Sequence, residues 1–271
     1  MAASLWVIVL SLVFAEPARG ETVVRMSGTG TSLGMLERLR DGFQRANPGV
    51  GVQVLPNLGS SGAIDAVASG ALDVAISGRR LKEAERALGL AEFEIARTPF
   101  VFAAGPRVPV QGIGSAELVQ IYRGERTAWP DGARIRLILR PRTDADTILL
   151  REISPEMAAA VDAALERPGM LMAVTNQECN EMLERTPGAI APTTLMQLRA
   201  EPRSISALRW NGVEPTVDNM AAGKYPLAKP LYVVLRRSSA PHVRRWLDFV
   251  RSAEGRKIVE GLGGSLAPLS H

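Results

Sequence analysis

Three runs of small and hydroxyl-bearing residues stand directly before stretches of helical spacing: SGTGTSL at 27–33, LGSSGA at 58–63 and LRPRTDADT at 139–147. A helix start leaves backbone N–H groups without partners, and the helix dipole adds positive potential there. Glycine lets an oxyanion approach that backbone closely, and Ser or Thr adds a hydroxyl donor, so the chemistry these runs offer is anion binding. Arg140 and Arg142 beside the third run could supply a forked counter-charge. Ser and Thr at a helix start are also ordinary capping residues, so each run alone says little. The same residues do not assemble a catalyst. No serine lies in a G-x-S-x-G elbow, and SGTGTS is neither a Walker A loop nor a G-x-G-x-x-G fingerprint.

Other reactive types are scarce. Cys179 is the single cysteine, so neither an intrachain disulfide nor a cysteine zinc site is expected. Cys179 itself reads as a half-buried small residue. The two histidines, His242 and His271, cannot build a metal centre, and His242 in the first turn of a helix reads as a surface residue. No metal, cofactor or catalytic residue is expected. The net charge of +4 comes with 28 acids interspersed among 32 basic residues, and aromatics are 5%. That pattern argues against a nucleic-acid surface.

The elements that must carry these loops alternate in period. Val23 to Met26 reads as a strand, Leu33 to Ala46 as a helix, Val50 to Leu55 as a strand, Ala63 to Ser69 as a helix and Leu72 to Ile76 as a strand. Strand, loop and helix in repetition point to α/β architecture with a parallel sheet. Val101 to Pro109 reads as a strand entering a bend, a crossing point between two lobes, and Tyr232 to Leu235 as the return crossing. Ile135 to Leu139 is a β-branched strand, followed by helices from Thr147 to Glu152 and from Pro155 to Glu166. A helix is expected around Asn176 to Leu183, strands at 187–191 and from Ser206 to Val213, and one long amphipathic helix from Pro241 to Leu262. Residues 5–15 form an apolar run too short for a bilayer, which needs about 20 residues. It fits a signal peptide over 1–20, cleaved near Glu21, although no Lys or Arg precedes it. The other reading is an apolar first strand or an uncleaved anchor.

A GTGTS loop after the first strand, GSSG before the second helix, DVAIS on the third strand, TPFVFA, the IYRG…W segment and an Arg-rich loop ending in Asp-Thr occur in that order. Together they resemble the periplasmic phosphate-binding proteins of ABC importers, over about residues 22–262. The resemblance implies a type II periplasmic binding fold: two α/β lobes, each a mixed sheet flanked by helices, closing on an oxyanion at a hinged cleft. Lobe 1 would be 21–104 plus 228–271, and lobe 2 would be 105–227. It implies a monomeric, exported, periplasmic, non-enzymatic protein that delivers a small oxyanion, phosphate first, to an inner-membrane ABC permease.

Position by position, the resemblance assigns ligand contacts to the Ser32 hydroxyl, the Leu33 backbone N–H, Ser60, Thr147 and an arginine, either Arg140 or Arg142. The family's acidic acceptor after the third strand falls on Gly78, followed by Arg79, and Ala145 and Asp146 replace a serine and a glycine. Asp144 and Asp146 leave two alternatives. They cap their own helix and repel an incoming anion, or one of them, Asp146 among the candidate ligand-binding residues, takes over the missing acceptor role. The first alternative describes a periplasmic sensor or interaction module of the same fold with a filled, ligand-free cleft.

Overall fold

The computed structural model describes residues 22–267; the expected signal segment lies outside them. In chain order the first elements are β1 (Thr22–Gly28), α1 (Gly30–Ala46), β2 (Val50–Val54), α2 (Gly59–Ser69), β3 (Val74–Ser77), α3 (Glu83–Ala87) and β4 (Leu90–Ala104). There follow β5 (Gly112–Ile113), α4 (Ser115–Arg123), β6 (Arg136–Leu139), α5 (Ala145–Glu152), α6 (Pro155–Glu166), β7 (Leu171–Met172), α7 (Asn176–Arg185), β8 (Ala189–Thr194) and α8 (Leu195–Ala200). The chain ends with β9 (Ser206–Ala207), β10 (Arg209–Trp210), α9 (Val217–Ala221), β11 (Ala228–Arg236), α10 (Pro241–Arg251), α11 (Ala253–Gly261) and β12 (Ser265–Leu266).

The main sheet runs β2-β1-β3-β11-β4-β8-β6-β7. Pairings among β2, β1 and β3 are parallel, as are those among β8, β6 and β7, whereas β11 and β4 join them through antiparallel contacts. The long strand β4 is the seam. Its residues up to Pro99 pair with β11, and from Phe100 onward it pairs with β8.

Side chains on successive strand residues point to opposite faces, so each half of the sheet feeds two cores. Val74 and Ile76 join one cluster with Leu36, Phe43 and Trp246, while Ala75 joins another with Ile64 and Val67 of α2. In the other half, Phe102 packs with Tyr122, Trp129 and Val161, and Ala103 with Cys179 and Leu183. The short helix α8 serves both halves: Met196 and Ala200 pack into the first core, and Leu195 and Leu198 against the second.

Several boundaries differ from the expectation for local reasons. The helices after the first two loops begin earlier, at Gly30 and Gly59, so their small residues form the first helical turn. The long C-terminal helix is two helices. Ser252 leaves the helical region (ψ 169) and its hydroxyl accepts from the Gly255 N–H, capping α11. The strand expected from Ser206 to Val213 is likewise two short pieces, β9 and β10, the first on β4 and the second on β5. Cys179 is fully rather than half buried, and His242 is half-buried.

Candidate functional site

The first turns of α1, α2 and α5 meet around one fully buried lysine, Lys229 of β11. Its Nζ donates to Thr31 Oγ1 in the first turn of α1 at 3.1 Å. It also forms an ion pair with Asp146 Oδ1 in the first turn of α5, and neither side chain reaches solvent. From α2, Ser60 Oγ accepts from the Gly78 N–H at 2.9 Å. Gly78 in turn lies against the lysine: a Cβ there would stand 2.8 Å from Lys229 Cε and 3.1 Å from Ala145 Cβ. The space a side chain at position 78 would need is therefore filled by the lysine stem and by α5.

The three helix starts are not equivalent. Neither Thr29 before α1 nor Leu58 before α2 provides a capping side chain, and no acidic residue lies in either first turn. The start of α5 carries its own cap. Asp144 Oδ1 accepts from the Asp146 N–H at 2.9 Å, and its carboxylate pairs with Arg140 Nη2 at 2.9 Å. Arg140 emerges from the end of β6, is almost wholly buried, and donates from Nη1 to the Ala173 carbonyl at 3.0 Å. Its Nη2 also reaches Asn176 Oδ1 at 3.4 Å, and Asn176 Nδ2 donates to Asp146 Oδ2 at 2.8 Å. Two cations and two carboxylates thus form one buried, charge-balanced chain from Lys229 through Asp146 and Asn176 to Arg140 and Asp144.

Burial, reinforced by the negative charge of Asp146, pushes the Asp144 carboxyl above the ordinary carboxylate range despite Arg140 and Lys229. Burial pulls the Arg140 guanidinium down, but Asp144 and then Asp146 more than offset it, and its pKa lies above the usual value. Burial pushes the nearby Cys179 thiol up to about 12, the direction of an inert packed thiol.

The starts of α1 and α7 are bonded to each other. Gln177 Nε2 donates to the Gly30 carbonyl at 3.1 Å, and Asn57 Nδ2 donates to Gln177 Oε1 at 3.0 Å. A Cβ at Gly30 would fall 2.6 Å from Asn176 Cβ, so only glycine lets these helix starts touch.

Of the residues singled out from sequence, Ser60, Arg140, Asp146 and Thr147 lie in this assembly. Thr147 Oγ1 donates to the Arg140 carbonyl at 3.2 Å. Ser32 is buried in the first turn of α1 with its hydroxyl donated to the Thr29 carbonyl at 2.8 Å. Leu33 packs its side chain on the first core. Arg142 is elsewhere, half-exposed and paired with Asp162 at 2.5 Å and Glu166 at 2.6 Å, so of the two arginines only Arg140 lies in this assembly. The reason is local: Arg142 stands in the turn after β6, from which its guanidinium reaches Asp162 and Glu166 of α6. Lys229, Thr31, Asn176 and Gln177 were not anticipated. The available signal was Lys229 itself, one of four lysines in a chain with 28 arginines, set in the apolar run LAKPLYVVL.

The chain as a whole is similar to known proteins. The phosphate-binding protein PstS of Bacillus subtilis (strain 168) is 24% identical over 253 residues, covering 90% of this chain and 79% of that protein. A Clostridium perfringens protein solved with bound phosphate, assigned as a phosphate ABC transporter substrate-binding protein, superposes with a TM-score of 0.78 at 21% identity. It covers 91% of this chain and 100% of its own. An ABC-type phosphate transport receptor from Vibrio cholerae superposes with a TM-score of 0.64 at 19% identity, covering 90% and 100%. The fold is thus the two-lobe α/β fold of type II periplasmic binding proteins. Residues 15–254 match the PBP superfamily domain, and the chain belongs to that superfamily.

Proposed function

We propose that the protein is an exported solute-binding protein that captures a small oxyanion, phosphate first, for an ABC importer in the inner membrane. The observation that carries this reading is the meeting of three helix starts around buried Lys229. Helix N-termini, hydroxyls and a buried cation are the groups that hold an anion without chemistry. The work is closure of lobe 1 (21–104 plus 228–271) on lobe 2 (105–227) about β4 and β11, presenting a closed surface to the permease. The contacts would come from Ser32, the Leu33 N–H, Ser60, Arg140 and Thr147, in a monomeric periplasmic protein that turns over no substrate.

A second reading has its own support. Asp144 caps α5, and Asp146 already holds Lys229, so an interaction module or sensor with a permanently filled cleft is also consistent with these contacts. Isothermal titration of the protein with phosphate, sulfate, molybdate and tungstate separates the two. Micromolar binding of any of these supports the solute-binding reading and identifies the nutrient. Silence across the panel removes it in favour of the module.

A further inference from the structure

We infer that Lys229 is the charged anchor of the anion site, and that the Asp146 carboxylate is a built-in occupant that an incoming oxyanion must displace. The inference rests on the solute-binding reading and adds to it the residue that attracts the ligand and the group that competes for it.

Both halves follow from placement. Lys229 comes from β11, one of the two strands joining the halves of the sheet, and its ammonium touches α1 on one side and α5 on the other. It approaches the volume next to Gly78 in which that residue's side chain would otherwise stand. An ammonium offers only donors, so its buried partners must be acceptors. One is the Thr31 hydroxyl and the other is Asp146, a carboxylate in the first turn of α5 where an anion is favoured by the helix dipole. Asp146 thus puts an anionic group, a cation partner and a helix start together, as a bound oxyanion would. Its second oxygen is held by Asn176, which can keep that hydrogen bond if the carboxylate swings off the lysine. Arg140 is the lesser attractor, because Asp144 and the Ala173 carbonyl already hold its fork and leave it at most a supporting contact to the anion.

An internal occupant lowers apparent affinity by the fraction of time it holds the site. A carboxylate in place nine-tenths of the time costs an external anion about tenfold. Substituting Asp146→Asn keeps the shape and the contact to Asn176 while removing the competing charge. The Asp146→Asn/Lys229→Met pair also removes the ammonium and leaves no unpaired charge behind. Phosphate and sulfate affinities of the wild type and both variants are measured by calorimetry, with melting temperature recorded with and without each anion.

The expected result is that Asp146→Asn binds about tenfold or more tightly than wild type and gains melting temperature with either anion. The double variant loses both gains. If Asp146→Asn fails to fold in plain buffer, rescue of its folding by phosphate, absent in the double variant, gives the same contrast. Binding by Asp146→Asn no tighter than wild type overturns the occupant. Binding by the double variant equal to that of Asp146→Asn overturns the anchor. Either result leaves the solute-binding reading standing if the wild type binds. Silence of both the wild type and Asp146→Asn removes the inference and that reading together.

Discussion

At the scale of single residues, the cleft is decided by where four charges can be buried. A buried pair loses hydration on both sides, and removing one partner strands the other at a cost of about 3–5 kcal/mol. Asp144 is the carboxylate on which this burial weighs. Its carboxyl lies above the ordinary value of 3.8 because burial and Asp146 disfavour the charged form. The folded protein therefore takes up this proton before the unfolded chain does, and protonation favours folding. The stability of wild type relative to Asp144→Asn is expected to rise as pH falls from neutral toward 3.8 and to level off below it. Urea unfolding of both proteins at several pH values measures this difference, and a flat or falling difference would contradict the raised value. Arg140 and Asp146 were legible as candidates because each stands within a recognisable loop. Lys229 was not, since its role is created by partners 83 and 198 positions away.

At the scale of elements, sequence periodicity located the longer helices and most longer strands, because apolar spacing is set by the face each element buries. It passed over the short α3, α8 and α9, the two-residue β5, β7 and β12, and the part of β4 before Val101. One misreading lies where a side chain makes a local substitute for backbone bonding. Ser252 divides one amphipathic pattern into two helices without disturbing the spacing of Val243, Trp246 and Val250, which all reach the first core. Gly-Ser runs read as loops are first turns, since glycine spacing marks the approach of another chain segment as readily as the end of a helix. Helix α7 matters most for the cleft, as its start carries Asn176 and Gln177. It is held by a reciprocal cap in which Thr175 Oγ1 accepts from the Glu178 N–H at 3.1 Å, and Glu178 accepts from the Thr175 N–H at 3.4 Å. Thr175→Ala is expected to cost about 1 kcal/mol of stability. Chemical denaturation would reveal it, and an unchanged midpoint would mean that tertiary packing alone fixes this helix start.

At the scale of the whole molecule, the two halves are held by side chains at the starts of α1 and α7 as well as by the joining strands. Gln177 is the central group, bonded to Gly30 and Asn57 on one side and to Glu201 on its own. Gln177→Ala removes all three bonds while leaving Lys229 and Asp146 intact. A larger radius of gyration by small-angle scattering is the expected outcome. An identical profile would mean that these three bonds are not what holds the halves together.

The halves also share material. Helix α8 follows β8 within the segment assigned to the second lobe, yet Met196 completes the first core and its N–H is received by Thr98 Oγ1 on β4. The same threonine hydroxyl donates to the Gly263 carbonyl near the C-terminal end of the described chain. In heredity, this makes residues 105–227 a poor unit of exchange. A breakpoint pair at the strand crossings would carry Met196 and Ala200 away with the incoming lobe and leave the resident core fitted to a stranger's helix. Exchange of that segment in this chain is thus constrained by a six-residue helix.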